Sequence, residues 1–135
     1  MNVDSLAYYT GFGKRVTTIR SALRNLVAEL KHRGKTIAGY GAAAKGTTLL
    51  NYCDLGRESI EFVVDRNSYK QGRFTPGTHL PILPVEALLE KQPDYTLLLA
   101  WNFAEEILHQ QQAYRGRGGR FIVPIPEVTV IEPKG

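Results

Sequence analysis

Ile37-Ala38-Gly39-Tyr40-Gly41-Ala42-Ala43-Ala44-Lys45-Gly46-Thr47-Thr48 is the stretch on which the reading of this chain turns. A short apolar strand, Thr36 to Tyr40, runs into a glycine-rich turn, and a helix, Lys45 to Leu55, leaves it and stops at Gly56. Glycine lets a backbone turn sharply and approach a ligand closely. The free N–H groups and dipole of the following helix favour an anion at the turn. Lys45 brings a full positive charge to that place, and Thr47 or Thr48 can cap the helix or bond a phosphate oxygen. The next strand, Ile60 to Val64, closes on Asp65, where nucleotide-binding sheets carry a carboxylate for ribose hydroxyls. The competing reading is that the glycines only shape a tight turn and Asp65 only caps it.

The spacing departs from three known loops. Gly39 and Gly41 fit the first two glycines of the dinucleotide fingerprint, but its third position is Ala44, followed by a lysine. Thr36-Ile37-Ala38 supplies no acid ahead of the glycines, unlike S-adenosylmethionine loops, and the Gly-Lys-Ser/Thr order of a P-loop is missing.

Outward from this turn, strands and helices alternate. Leu80 to Leu83 reads as a strand, Val85 to Lys91 as a helix started by Pro84, Tyr95 to Ala100 as a strand buried on both faces, and Phe103 to Tyr114 as a helix. Arg120 to Val123 is a further strand, and Val128 to Ile131 adds an edge. This alternation predicts an α/β, Rossmann-like, doubly wound parallel sheet of about five strands. Ahead of it, Asp4 to Arg33 reads as a helix whose apolar stripe is Val16, Ile19, Leu23, Leu26, Val27 and Leu30. A break is expected near Gly11-Phe12-Gly13, and Gly34 is the stop signal. The division expected is thus a helical segment, 1–34, and a Rossmann-like body, 35–135. Tyr8, Tyr9 and Phe12 pack on the same core or on something outside this chain.

In a parallel sheet, ligands bind beyond the carboxyl ends of the strands. Trp101-Asn102 falls at that edge, offering a flat ring for a base or sugar and an amide that both donates and accepts; packing and a helix cap are the plainer roles. The loop from Arg66 to His79 carries three cations, Arg66, Lys70 and Arg73, and no acid. Lys70 and Arg73 suit a diphosphate clamp, or else the loop is a solvated connection with a defined turn at Pro76-Gly77. No nucleophile elbow, Ser/His/Asp set or metal-ligand spacing is present, so neither a catalytic residue nor a metal is assigned.

The 135 residues carry a net charge of +4, 43% hydrophobic and 22% charged residues, which fits one globular domain and argues against disorder. Seven of the basic residues fall between Lys14 and Lys35 beside the single acid Glu29, which reads as a phosphate-attracting patch or as a solvated helix face. No nucleic-acid recognition motif accompanies them, no apolar run is long enough to span a membrane, and no secretory signal is visible. The lone Cys53 excludes an internal disulfide and fits a reducing, cytoplasmic compartment.

Taken together, Gly39-Tyr-Gly-Ala-Ala-Ala-Lys-Gly-Thr-Thr-Leu-Leu-Asn-Tyr52, Val64-Asp-Arg66, Tyr69-Lys-Gln-Gly-Arg73, Pro76-Gly-Thr-His79, Ala100-Trp-Asn102 and Phe121-Ile-Val-Pro-Ile-Pro-Glu127 resemble the C-terminal domain of sugar C-methyltransferases. The resemblance covers nearly the whole chain. It implies an enzyme of three parts: a small zinc-binding domain, a central S-adenosylmethionine-binding domain, and a Rossmann-like third part that this chain matches. It further implies a nucleoside diphosphate keto-sugar as substrate, a base that removes the proton alpha to the ketone, and attack of the enolate carbon on the methyl group. Base and methyl donor belong to the central domain, so this chain alone is expected to be inactive and to bind no S-adenosylmethionine itself. The positions expected to hold the nucleotide-sugar are Gly39, Gly41, Ala43, Lys45, Gly46, Thr47, Asp65, Lys70, Arg73, Trp101 and Asn102. Its expected partners are that substrate, the central domain and, through the leading helix, a second copy. The alternatives are a stand-alone nucleotide or dinucleotide-binding module, NAD included, and an interaction domain with no ligand.

Overall fold

A computed structural model of the chain describes the backbone of residues 5–133 and the side chains of residues 17–133. Helix α1 (Ser5–His32) is followed by strand β1 (Ile37–Tyr40), helix α2 (Ala44–Tyr52), and strands β2 (Val63–Val64) and β3 (Ile82–Leu83). Helix α3 (Ala87–Lys91), strand β4 (Tyr95–Leu98), a 3-10 turn at Trp101–Phe103, helices α4 (Ala104–Gln110) and α5 (Gln112–Gly116), and strands β5 (Arg120–Val123) and β6 (Thr129–Ile131) complete the chain. The six strands form one sheet in the order β3-β2-β1-β4-β5-β6, all parallel except the β5–β6 pair. This is the order of the doubly wound nucleotide-binding sheet with its last strand reversed. The fold expectation therefore holds, with six strands rather than five.

Period-two alternation divides β1 between two cores. Ile37 faces Leu23, Val27, Leu30, Leu50, Val63, Leu97, Leu99 and Ile122 under α1 and α2. Ala38 and Tyr40 face Phe62, Val64, Leu88, Leu98, Ile107, Tyr114 and Phe121 under α3, α4 and α5. The expected stripe of α1 is the buried one, with Ile19, Leu23, Val27 and Leu30 almost inaccessible. Its end is a Schellman motif: Gly34, at φ 78, donates to the Lys31 carbonyl and Lys35 to that of Leu30.

Four local expectations are corrected. Helix α1 runs through Gly11 and Gly13 without a break, because an interior glycine costs only about 1 kcal/mol and removes no hydrogen bond. The expectation for Tyr8, Tyr9 and Phe12 lies outside the described side chains. Helix α2 stops before Gly56: Asp54 takes the left-handed conformation (φ 55), and Leu55 donates to the Leu50 carbonyl. Aspartate tolerates that conformation, and Arg20 and Arg24 hold its carboxylate at 3.3 Å. The Ile60-to-Val64 strand shortens to Val63–Val64, although Glu61 still donates to the Ile37 carbonyl. The Phe103-to-Tyr114 helix divides into α4 and α5 at Gln111.

Tyr114 locks the second core. Its ring is inaccessible, and its hydroxyl donates to the Pro93 carbonyl at 2.8 Å and accepts from Thr96 Oγ1 at 2.9 Å. Burial pushes its pKa up to about 12, with the Thr96 bond opposing. A phenol whose folded pKa exceeds its unfolded value near 10 binds protons more tightly in the native state. Its stabilisation is complete below pH 10 and is lost as pH rises from about 10 to 12, to the extent of about 2–3 kcal/mol. Denaturant melts across that range should show this decline, and Tyr114→Phe should flatten it while lowering stability at pH 7 by about 1–2 kcal/mol. An unchanged alkaline slope in the variant would remove Tyr114 as its source.

Candidate functional site

β1 and β4 are sheet neighbours whose following helices pack on opposite faces, α2 through Leu50 and α4 through Ile107. That divergence opens a crevice at the carboxyl ends of the two strands. It has a volume of about 290 Å³ and is lined by Tyr40, Gly41, Ala43, Asp65, Arg66, Ala100, Phe103, Glu106, Ile107 and Gln110. Gly41 forms part of its floor at φ 99, and a Cβ there would lie 2.8 Å from Ala100 Cβ. Both the conformation and the approach demand glycine.

The turn that follows is held from the carboxyl end of the neighbouring strand β2. Ala42 N–H donates to Asp65 Oδ2 at 2.7 Å, and Lys70 Nζ donates to the Ala42 carbonyl at 3.1 Å. Opposite charges thus grip both sides of one residue in the turn. Asp65 Oδ1 accepts from Asn67 N–H at 2.7 Å, so each of its oxygens already holds backbone. Asp65 and Lys70 shape the turn in this structure.

The other expected residues separate into groups. Lys45 is exposed in the first turn of α2, with its Nζ 5.8 Å from the centre of the Trp101 ring. Ala44, Lys45, Thr48, Leu49, Tyr52 and Trp101 line an apolar groove there. Trp101 and Asn102 also line a third hollow, which shares Phe103 and Glu106 with the crevice. The three hollows therefore share walls around the sheet edge. Gly39 lies inside β1, opposite Val63 and Leu97, and not at the rim. Gly46 and Thr47 are buried, and the Thr47 hydroxyl donates to the Ala44 carbonyl. Arg73 is exposed at the β3 side, donating to the Tyr69 carbonyl of its own loop. The structure therefore brings Gly41, Ala43, Lys45, Asp65, Lys70, Trp101 and Asn102 to one edge, and leaves Gly39, Gly46, Thr47 and Arg73 away from it.

The expected threonine cap is absent: Ala43 occupies the N-cap of α2 with no side-chain hydrogen bond. Its φ of −78° and ψ of 162° leave the first amides of α2 without a side-chain acceptor. Nor does Asn102 cap α4, where Phe103 holds the N-cap position. Tyr40, Arg66, Phe103, Glu106 and Gln110 line the crevice without being among the expected site residues. Phe103, which precedes α4, and the α4 residues Glu106, Ile107 and Gln110 occur at steps of three and four, which is a helix-face signal.

The Tyr40 hydroxyl is buried without a hydrogen-bond partner, the Gln111 side chain standing near it short of bonding geometry. Burial pushes its pKa up, and the Arg66 guanidinium pulls it back. Among the described residues, no group of three or more histidine, cysteine, aspartate or glutamate side chains is arranged to hold a metal, and no helix is long and apolar enough to cross a membrane.

Residues 1–126 match the family described as C-methyltransferase C-terminal domain. The chain is also 46% identical over 123 residues to the C-methyltransferase NovU of Streptomyces niveus. That alignment takes in 91% of this chain and 29% of NovU, so the chain spans less than a third of its relative.

Proposed function

Since the chain belongs to the family of C-methyltransferase C-terminal domains, we propose that it is the substrate-holding part of a larger S-adenosylmethionine-dependent enzyme. Its ligand is a nucleoside diphosphate keto-sugar, held at the carboxyl edge of the sheet. The observation that carries this reading is the uncapped start of α2 beside the exposed Lys45, on a turn gripped by Asp65 and Lys70. Amide hydrogens and an ammonium group there suit phosphate oxygens. Gly41, Ala43, Trp101 and Asn102 complete that edge, and Gly39, Gly46, Thr47 and Arg73 support the reading only through neighbouring backbone.

S-adenosylmethionine supplies the methyl group, and we assign its site to a central domain. This chain fits it poorly, because no acid precedes the glycines. The same assignment gives that domain the base that removes the proton alpha to the ketone. We further propose that the body, 35–135, presents its edge to the central domain, with the segment 1–34 as the connecting element. A second copy is the other surface this segment can serve.

Titration of the chain with thymidine diphosphate and with NAD tests the reading. Thymidine diphosphate should bind the tighter, and Lys45→Ala should weaken it about tenfold, the worth of one charge-assisted hydrogen bond. Tighter binding of NAD, or a thymidine diphosphate affinity indifferent to Lys45→Ala, would overturn it.

A further inference from the structure

The crevice between β1 and β4 differs in charge from the turn beside it. Around the turn stand Lys45 and Lys70 with the Asp65 carboxylate, which also borders the crevice, whereas the far side of the crevice carries Glu106 and the guanidinium of Arg66. Arg66 Nη1 donates to Gln110 Oε1 at 3.5 Å, and Gln110 Nε2 donates to Glu106 Oε2 at 3.1 Å. The mouth is therefore a rim of alternating donors and acceptors that is less positive than the turn.

The small apolar part of its lining is Gly41, Ala43, Ala100 and Ile107. Beside it the Phe103 ring is 60% exposed, although Tyr40 and Ile107 next to it are almost fully buried. Tyr40, whose hydroxyl is buried without a partner, belongs to the same lining. A small apolar lining, a solvent-facing aromatic ring and a polar rim that is less positive than the turn suit an uncharged heteroaromatic ring: stacking supplies the affinity, and the rim bonds the ring's polar edge.

We propose that this crevice is the nucleobase subsite, formed by Phe103, Glu106, Gln110 and Arg66, and that it sorts the ligand by charge, taking the base and leaving the phosphates to the turn at Lys45. The inference rests on the nucleotide-binding reading above and adds a direction: base on the α4 side, phosphates on the α2 side. Phe103 contacts the base directly, so the ring itself is what the site requires.

Binding of thymidine diphosphate and of inorganic pyrophosphate to the wild-type chain, Phe103→Ala, Phe103→Tyr and Lys45→Ala separates the two halves. Phe103 is exposed, so its variants should keep the wild-type melting temperature. Phe103→Ala should weaken thymidine diphosphate about tenfold, as expected for loss of one stacking face, and leave pyrophosphate unchanged. Phe103→Tyr should restore the affinity, and Lys45→Ala should weaken both ligands. Unchanged thymidine diphosphate binding in Phe103→Ala, or an equal loss for both ligands, would overturn the subsite while leaving the phosphate site standing. Failure of both ligands to bind the wild-type chain would overturn the nucleotide-binding reading and the subsite together.

Discussion

Gly46→Ala is expected to lower the unfolding free energy by about 2–3 kcal/mol, the cost of forcing a methyl group into a filled core. A Cβ at Gly46 would stand 2.5 Å from Leu99 Cβ and 3.0 Å from the Leu99 carbonyl oxygen. Leu99 is 1% exposed and continues β4 into the site edge, so its backbone has nowhere to retreat. Alanine in a helix would ordinarily gain about 1 kcal/mol over glycine. Here overlap with backbone exceeds that gain, and helix α2 must lift off the sheet. The lift also moves the Gly41-to-Lys45 turn, so nucleotide affinity should fall along with stability. Urea unfolding should show a lower midpoint at an unchanged slope. Gly116, at the end of α5 with no heavy atom within 4 Å of its Cβ position, is the control, and Gly116→Ala should be neutral or slightly stabilising. Equal effects at the two glycines would show that close approach to Leu99 is not what requires Gly46.

The second large effect is expected at Gly119, ahead of β5. Its Cβ would meet three atoms of the Tyr114 ring at 2.3, 2.4 and 2.5 Å. A tyrosine ring often swings aside, but this one is fixed at its far end by Pro93 and Thr96 and stands edge-on to Phe121 with centroids 5.4 Å apart. Gly119→Ala should therefore cost about 3–4 kcal/mol, at the upper end of overpacking effects. In a Tyr114→Leu background the same change should cost far less, because the ring it strikes is gone. A double-mutant cycle measures that difference directly, and simple additivity would show that the strain arises elsewhere.

Gly46 also explains a mismatch in the sequence. The third glycine of the dinucleotide fingerprint serves close packing of helix against strand. In this chain Ala44 stands at that position, and the packing role has moved two residues on, to Gly46 against Leu99. Spacing alone could not reveal this, because it depends on where β4 lies relative to α2. The N-cap of α2 was hidden for the same reason. With Ala43 as its N-cap, the helix starts at Ala44, one residue earlier than expected, and the threonine read as a cap turns inward to its own helix backbone.

Periodicity is a local property, so the alternation of strands and helices, the apolar stripe of α1, the stop at Gly34 and the glycine turn closing β1 were all legible in the sequence. A continuous apolar run such as Tyr95 to Ala100 reads as a strand covered on both faces because no other placement removes every one of its side chains from water. Family membership was legible too, carried by several ordered motifs rather than by the turn alone. The order of strands decided the rest. Setting β4 beside β1 sends α2 and α4 to opposite faces, and that divergence makes the crevice and brings Phe103 and Glu106 opposite Asp65 and Arg66. It also turned Lys70 and Asp65 upon Ala42, a pairing between residues 23 and 28 positions apart. Contacts over such separations follow from which surfaces must be buried together, and only the assembled sheet settles that.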